Sequence, residues 1–94
     1  MSAALLESVT ARLAQAGECG IAPYVTAGDG GLGRTLSVLH ALESAGAACV
    51  ELGLPFSDPV ADGPLLQAAA RRSLDAGTTF EGVLDLIERY RSAG

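Results

Sequence analysis

The stretch VELGLPFSDPVADGP, which runs from Val50 to Pro64, decides how this chain folds. It begins as an apolar strand with one carboxylate, Glu51, and continues as a loop that carries two more carboxylates, Asp58 and Asp62, among its prolines. Functional residues concentrate on loops that a rigid scaffold holds in place. A strand that contains an acid and opens into a stiff acidic loop therefore predicts chemistry at the C-terminal edge of a sheet.

Helices and strands alternate on both sides of this stretch. Helices are predicted at 3–16, 34–45 and 64–76, strands at 20–27 and 47–53, and a fourth helix after residue 78. Strands that alternate with helices form parallel sheets, so this order predicts an α/β fold. A sheet of two parallel strands leaves both outer edges unpaired, so residues 1–94 are expected to be an incomplete part of one larger domain.

The fourth helix is predicted in the most detail. The segment Thr78-Thr79-Phe80-Glu81 has the T-x-x-E form of a capping box, which places the start of the helix here. Helical spacing then predicts a buried stripe made of Phe80, Val83, Leu84 and Ile87. The corresponding stripe of the second helix is Leu36, Leu39 and Leu42.

The composition is typical of a chain that folds around a hydrophobic core. Hydrophobic residues make up 49% of the sequence and charged residues only 18%, which is not the balance of a disordered segment. The net charge is −5, and no basic patch is available to neutralise phosphates. The sequence therefore argues against a nucleic-acid partner.

Metal and membrane sites are also not expected. Cys19 and Cys49 lie far apart without CxxC spacing, and His40 is the single histidine, so the cysteines are predicted to be buried free thiols. No apolar run approaches the roughly 20 residues that cross a bilayer. The N-terminus lacks the basic start of a signal peptide. We therefore expect a protein of the cytoplasm.

Two motifs suggest different functions. The first, Gly28-x-Gly30-x-x-Gly33, lies between a strand and a helix, with Glu51 at the next strand, which is the layout of a dinucleotide-binding fingerprint. The pattern is short in a chain with 12 glycines, and Asp29 would bring a negative charge next to a pyrophosphate. The alternative is an ordinary strand-to-helix turn.

The second motif is the acidic loop. Glu51 is set in an apolar strand, so we expect burial to raise its pKa and to suit it to proton transfer near neutral pH. Asp62 could instead cap a helix, and Asp58 could form an Asp-Pro turn with Pro59. The eleven-residue spacing of Glu51 and Asp62 can place two acids around one substrate, but alone it indicates only a possible acid–base site.

The stretch from Val50 to Pro64 closely resembles the signature of the tryptophan synthase alpha chain family. The segment Pro23-Tyr24-Val25-Thr26-Ala27-Gly28-Asp29 is similar to the first strand and loop of that family, and the resemblance extends from about Leu5 to Arg91. It implies a (β/α)8 TIM barrel, of which residues 1–94 would be the N-terminal portion: the first two β-α units with an added N-terminal helix. It also implies a lyase that cleaves indole-3-glycerol phosphate to indole and glyceraldehyde 3-phosphate by a retro-aldol step.

The resemblance assigns a role to several residues. Glu51 would be the general acid–base residue, Asp62 would accept a hydrogen bond from the indole N–H, and Tyr24 would line the indole pocket. Pro55 and Asp58 would lie in the loop that faces the beta chain, in an alpha2-beta2 tetramer. No cofactor is expected in this chain, because pyridoxal phosphate belongs to the beta chain.

This sequence departs from the family in two respects. Gly30 stands where proline is common, which should loosen that turn. A complete barrel needs about 250 residues and usually holds phosphate on loops after its seventh and eighth strands. We therefore expect these 94 residues alone to be inactive. A non-catalytic relative that docks on the beta chain would have the same residues and remains an alternative.

Overall fold

The computed structural model describes residues 3–56 and 63–93. Its elements are α1 (Ala3–Ala16), β1 (Tyr24–Thr26), α2 (Leu32–Ser44), β2 (Glu51–Gly53), α3 (Pro64–Asp75) and α4 (Phe80–Ala93). This is the predicted order of helices and strands. Asp58 and Asp62 lie outside the described residues.

The two strands are parallel and form one sheet, as predicted. Tyr24 pairs with Glu51 and Thr26 with Gly53. Each regular strand has only three residues, fewer than predicted. The pairing nevertheless continues outside them, because Ala48 N donates to the Ile21 carbonyl at 2.9 Å. The predicted extended segments are therefore present, while the regular ladder covers only their C-terminal halves.

The core is formed mainly where α4 packs on α2. Leu39 of α2 and Val83 and Leu86 of α4 are buried, and the rings of His40 and Tyr90 lie 5.0 Å apart at the same contact. Residues spaced three and four apart, at 83, 86 and 90, thus form the face of α4 that meets α2.

The predicted stripe of α4 is wrong in part. Phe80 and Leu84 are half exposed, at 50% and 51%, whereas Leu86, which was not predicted, is buried. The observed buried face is rotated about the helix axis from the predicted one, because α4 carries apolar residues on more than one side. Only the position of α2 decides which side is covered.

The start of α4 also differs from the prediction by one residue. The hydroxyl of Thr79, not Thr78, accepts a hydrogen bond from the N–H of Gly82 at 3.0 Å. Thr79 therefore caps the helix, and the T-x-x-E spacing from Thr78 to Glu81 is not a capping box. Thr78 is instead buried against the turn that follows β1.

The outer surfaces of the fold carry apolar residues. Leu5 and Leu6 on α1 and Ile21 before β1 are all exposed, whereas Val9 and Leu13 of α1 are partly covered. Within residues 3–56 and 63–93, no helix has the length and apolar character needed to span a membrane.

Candidate active site

Tyr24 and Glu51 lie side by side at the start of the two strands. The backbone N–H of Glu51 donates to the Pro23 carbonyl at 2.9 Å, and Tyr24 and Glu51 are register partners. Side chains alternate between the faces of a sheet, so Tyr24, Thr26, Glu51 and Gly53 share one face. This face brings together a carboxylate and an aromatic ring.

Glu51 is exposed, and the burial expected from its apolar strand is not found. The expectation assumed a sheet covered on both faces. Within the described residues, helices pack on β1 and on each other but leave the Glu51 side chain in contact with solvent. The carboxylate is therefore open to a ligand.

The Tyr24 ring leans along the strand direction over Gly53. A methyl group placed on Gly53 would collide with the Tyr24 ring and hydroxyl. Glycine at this position thus provides the space that the ring occupies. The ring therefore lies on the sheet face from which the Glu51 side chain also projects.

The turn after β1 is closed by its own hydrogen bonds. Gly28 N donates to the Thr35 hydroxyl at 2.9 Å, Asp29 N to the Thr26 carbonyl at 3.3 Å, and Gly31 N to the Gly28 carbonyl at 2.8 Å. A pyrophosphate at a dinucleotide-binding turn needs such amides to be free. The glycine pattern therefore forms a hydrogen-bonded strand-to-helix turn, in which these three amides are not available to a phosphate.

Asp29 of this turn forms a two-pronged ion pair with Arg72 of α3. Arg72 Nε donates to Asp29 Oδ1 at 2.8 Å, and Arg72 Nη2 donates to Asp29 Oδ2 at 2.9 Å. The hydrogen bond from Arg72 lowers the pKa of Asp29 and is the largest cause of the shift. Burial opposes it by raising the pKa, and the charges of Arg72 and Arg34 lower the pKa further. The same bond raises the pKa of Arg72.

Next to this ion pair, α3 makes a buried contact with β1. The hydroxyl of Ser73, which is fully buried, donates to the Ala27 carbonyl at 2.6 Å. Gly28 lies in the left-handed region with φ of 84°, and a side chain there would collide with the hydroxyls of Ser73 and Thr78. The turn and the end of α3 are therefore fitted closely to each other.

A cleft of about 550 Å³ lies between β1, α2 and α3 and is lined by Tyr24, Arg34 and Arg72 among others. Glu51 is not among the described residues that line it. This cleft therefore includes Tyr24 but not the predicted acid–base residue, and the roles of both residues stay predictions.

The other predicted residues are placed as follows. Pro55, just after β2, is buried, so any contact with a partner at this position stays a prediction, as it does for Asp58. Cys19 is exposed and Cys49 is partly buried, and both are free, so the predicted burial of the thiols is wrong for Cys19. No three metal-binding side chains come together in the part of the chain that the structure describes.

The ion pair between Asp29 and Arg72 and the buried hydroxyls of Thr35 and Ser73 were not predicted. Asp29 and Arg72 are 43 residues apart, and neither lies in a local pattern that names the other.

Two parallel strands, each followed by a helix, are the repeating unit of a (β/α)8 barrel. The sequence pattern of one family, described as tryptophan synthase alpha chain, matches residues 10–94. The chain belongs to this family.

Known proteins agree with that assignment. The tryptophan synthase alpha chain of Alkalilimnicola ehrlichii is 49% identical over 86 residues, which cover 92% of this chain and 31% of the relative. The crystal structure of tryptophan synthase subunit alpha from Legionella pneumophila superposes with a TM-score of 0.90 at 34% identity, over 96% of this chain and 34% of that one.

A third match is a structure described as the tryptophan synthase a2b2 complex from Pyrococcus furiosus. It superposes with a TM-score of 0.74 at 37% identity, over 80% of this chain and 32% of that one. This chain thus spans about a third of the length of the relatives that it matches.

Proposed function

We propose that residues 1–94 are the N-terminal part of an alpha chain of tryptophan synthase that acts as a lyase in the last steps of tryptophan biosynthesis. The reaction is the retro-aldol cleavage of indole-3-glycerol phosphate to indole and glyceraldehyde 3-phosphate. The observation that carries the proposal is the placement of Glu51 beside Tyr24 on one face of the sheet, in a chain of this family.

Glu51 moves the protons of this reaction. Its exposed carboxylate takes the proton from the glycerol hydroxyl that becomes the aldehyde and delivers a proton to the indole ring carbon. The bond between that ring carbon and the glycerol carbon breaks, its electron pair returns to the indole ring, and a C=O bond forms. Protons and electrons balance without an external oxidant or reductant.

Tyr24 and Asp62 hold the indole ring. The Tyr24 ring, fixed over Gly53, offers its face to the planar indole. Asp62, which lies outside the described residues, accepts a hydrogen bond from the indole N–H. A carboxylate there stabilises the positive charge that develops on the ring as the carbon is protonated.

The partner of the whole chain is a tryptophan synthase beta chain, in an alpha2-beta2 tetramer in the cytoplasm. A solved relative from Pyrococcus furiosus is described as an a2b2 complex, which supports this assignment. Pro55 and Asp58 belong to the loop after β2 that faces the partner. The pyridoxal phosphate of the complex belongs to the beta chain, and this chain uses no cofactor of its own.

The test uses the full-length chain that contains these residues. Purified protein is mixed with indole-3-glycerol phosphate, and indole is quantified by chromatography, with and without a beta chain from a relative. Release of indole supports the proposal. Tight binding to the beta chain without any release of indole contradicts it and identifies a docking module. The isolated 94-residue chain is expected to release no indole.

A further inference from the structure

Residues at the end of α3 fix this helix to the turn after β1 at two adjacent points. One is the buried hydrogen bond from Ser73 to the Ala27 carbonyl, 2.6 Å long. The other is the two-pronged ion pair of Arg72 with Asp29, at 2.8 and 2.9 Å. Both contacts lie in the last turn of a helix that ends at Asp75.

The two contacts restrict different motions of α3. A single hydrogen bond, such as that of Ser73, leaves a helix free to pivot about the bonded atoms. The guanidinium of Arg72 is planar and meets both oxygens of Asp29, so it also opposes rotation about that pivot. Its side chain is 59% exposed, so screening by solvent keeps its effect on overall stability small.

A small tilt at this end of α3 becomes a large displacement at the other end. Pro64 begins α3, eight residues before Arg72, which is about 12 Å along a helix. Over that length a tilt of about 5° shifts the first turn by about 1 Å. Misplacement of reacting groups by 1 Å can lower a rate by about a hundredfold.

We infer that Asp29 and Arg72 are positioning residues for the reaction at Glu51 and Tyr24. Their ion pair sets the tilt of α3 and so the position of its first turn, where Leu66 lines the same cleft as Tyr24. Asp29 lies three residues after the end of β1, the strand that carries Tyr24. The pair therefore connects the strand that bears the aromatic ring to the helix that follows the second acid. This inference rests on the proposed function.

The test is steady-state kinetics of indole release by the full-length chain with the variants Arg72→Leu, Arg72→Lys and Asp29→Asn. Arg72→Leu and Asp29→Asn are expected to lower kcat about tenfold, which is less than the roughly hundredfold loss that a 1 Å misplacement can cause. KM for indole-3-glycerol phosphate should stay unchanged. Arg72→Lys should give an intermediate kcat, because an ammonium keeps the charge but not the two-pronged geometry. The thermal midpoint Tm of all three should stay close to that of the wild type.

Arg71→Leu is the matched control, because Arg71 is an exposed arginine next to Arg72 on the same helix. It should have the kcat of the wild type. The inference is overturned if Arg72→Leu and Arg71→Leu have equal kcat, or if lost activity only follows a lower fraction of folded protein. If Arg72→Leu does not fold, Asp29→Asn and Arg72→Lys decide the question. A wild-type chain that releases no indole refutes the proposed function instead, and the inference with it.

Discussion

Tyr24 and Glu51 are direct partners in the parallel pair of β1 and β2, with the N–H of Glu51 bonded to the Pro23 carbonyl at 2.9 Å. This register places the aromatic ring and the carboxylate on the same face of the sheet. A shift of one residue would send one of them to the opposite face. The pairing of the strands therefore determines whether both groups can reach one substrate.

Replacement of Tyr24 tests the aromatic contact. We expect Tyr24→Leu to raise KM for indole-3-glycerol phosphate about fivefold, because ring–ring contacts contribute roughly 1 kcal/mol beyond burial. Tyr24→Phe is the control and should keep KM close to the wild-type value, since it retains the ring. Equal KM values for the leucine and phenylalanine variants would show that the ring does not contact indole.

Gly28 tests the close fit of the turn against α3. Gly28→Ala should lower the free energy of unfolding by about 2 kcal/mol or more. The alanine backbone would be strained in the left-handed region, and its methyl group would also collide with Ser73 and Thr78. Gly77→Ala is the control, because Gly77 has a nearly equal φ of 86° with open space around it. Denaturant unfolding should show a clearly smaller loss for Gly77→Ala, and similar losses would contradict the packing described here.

Ser73 tests the buried hydrogen bond between α3 and β1. Ser73→Ala should cost about 1–3 kcal/mol of unfolding free energy, because the Ala27 carbonyl loses its buried partner. Ser92→Ala removes a serine that also donates to a carbonyl, that of Glu88, but at an exposed site. Chemical denaturation of both variants should show little change for Ser92→Ala, and an equally small change for Ser73→Ala would refute the role of the bond.

The pH dependence of stability tests the ion pair of Asp29. The folded-state pKa of Asp29 lies below its ordinary value of 3.8, chiefly because Arg72 donates a hydrogen bond to it. Its contribution is therefore fully present above pH 3.8 and is lost as the pH falls through the folded-state pKa. Because the ion pair is exposed, the unfolding curves of wild type and Asp29→Asn should differ only slightly at neutral pH and should coincide in acid. A difference that grows in acid would contradict the assignment.

Much of the fold was predictable because it depends on local patterns. The alternation of helical and strand patterns along the sequence predicted the order of all six elements. The face of α4 was not predictable, because its apolar residues allow two orientations and the contact with α2 selects one. The cap at Thr79 was missed for a similar reason, since two threonines compete and tertiary packing buries the first.

The candidate site stays a prediction in its residue roles. Glu51 and Tyr24 were assigned through the resemblance, and the parallel register makes them partners in the sheet at the start of the two regular strands. The exposure of Glu51 was not foreseen, because an apolar strand indicates burial only where both faces of the sheet are covered. The contact of Asp29 with Arg72 depends on how α3 crosses the end of β1, which no local pattern encodes.

The most direct test of this account is the rate of indole release by the full-length chain with Glu51→Gln. Glutamine keeps the size of the side chain but cannot transfer the proton, so kcat should fall by about 10²- to 10⁴-fold. Glu7→Gln, on the exposed surface of α1, is the control and should keep the wild-type kcat. A Glu51→Gln variant with a kcat close to that of Glu7→Gln would show that Glu51 does not carry the reaction.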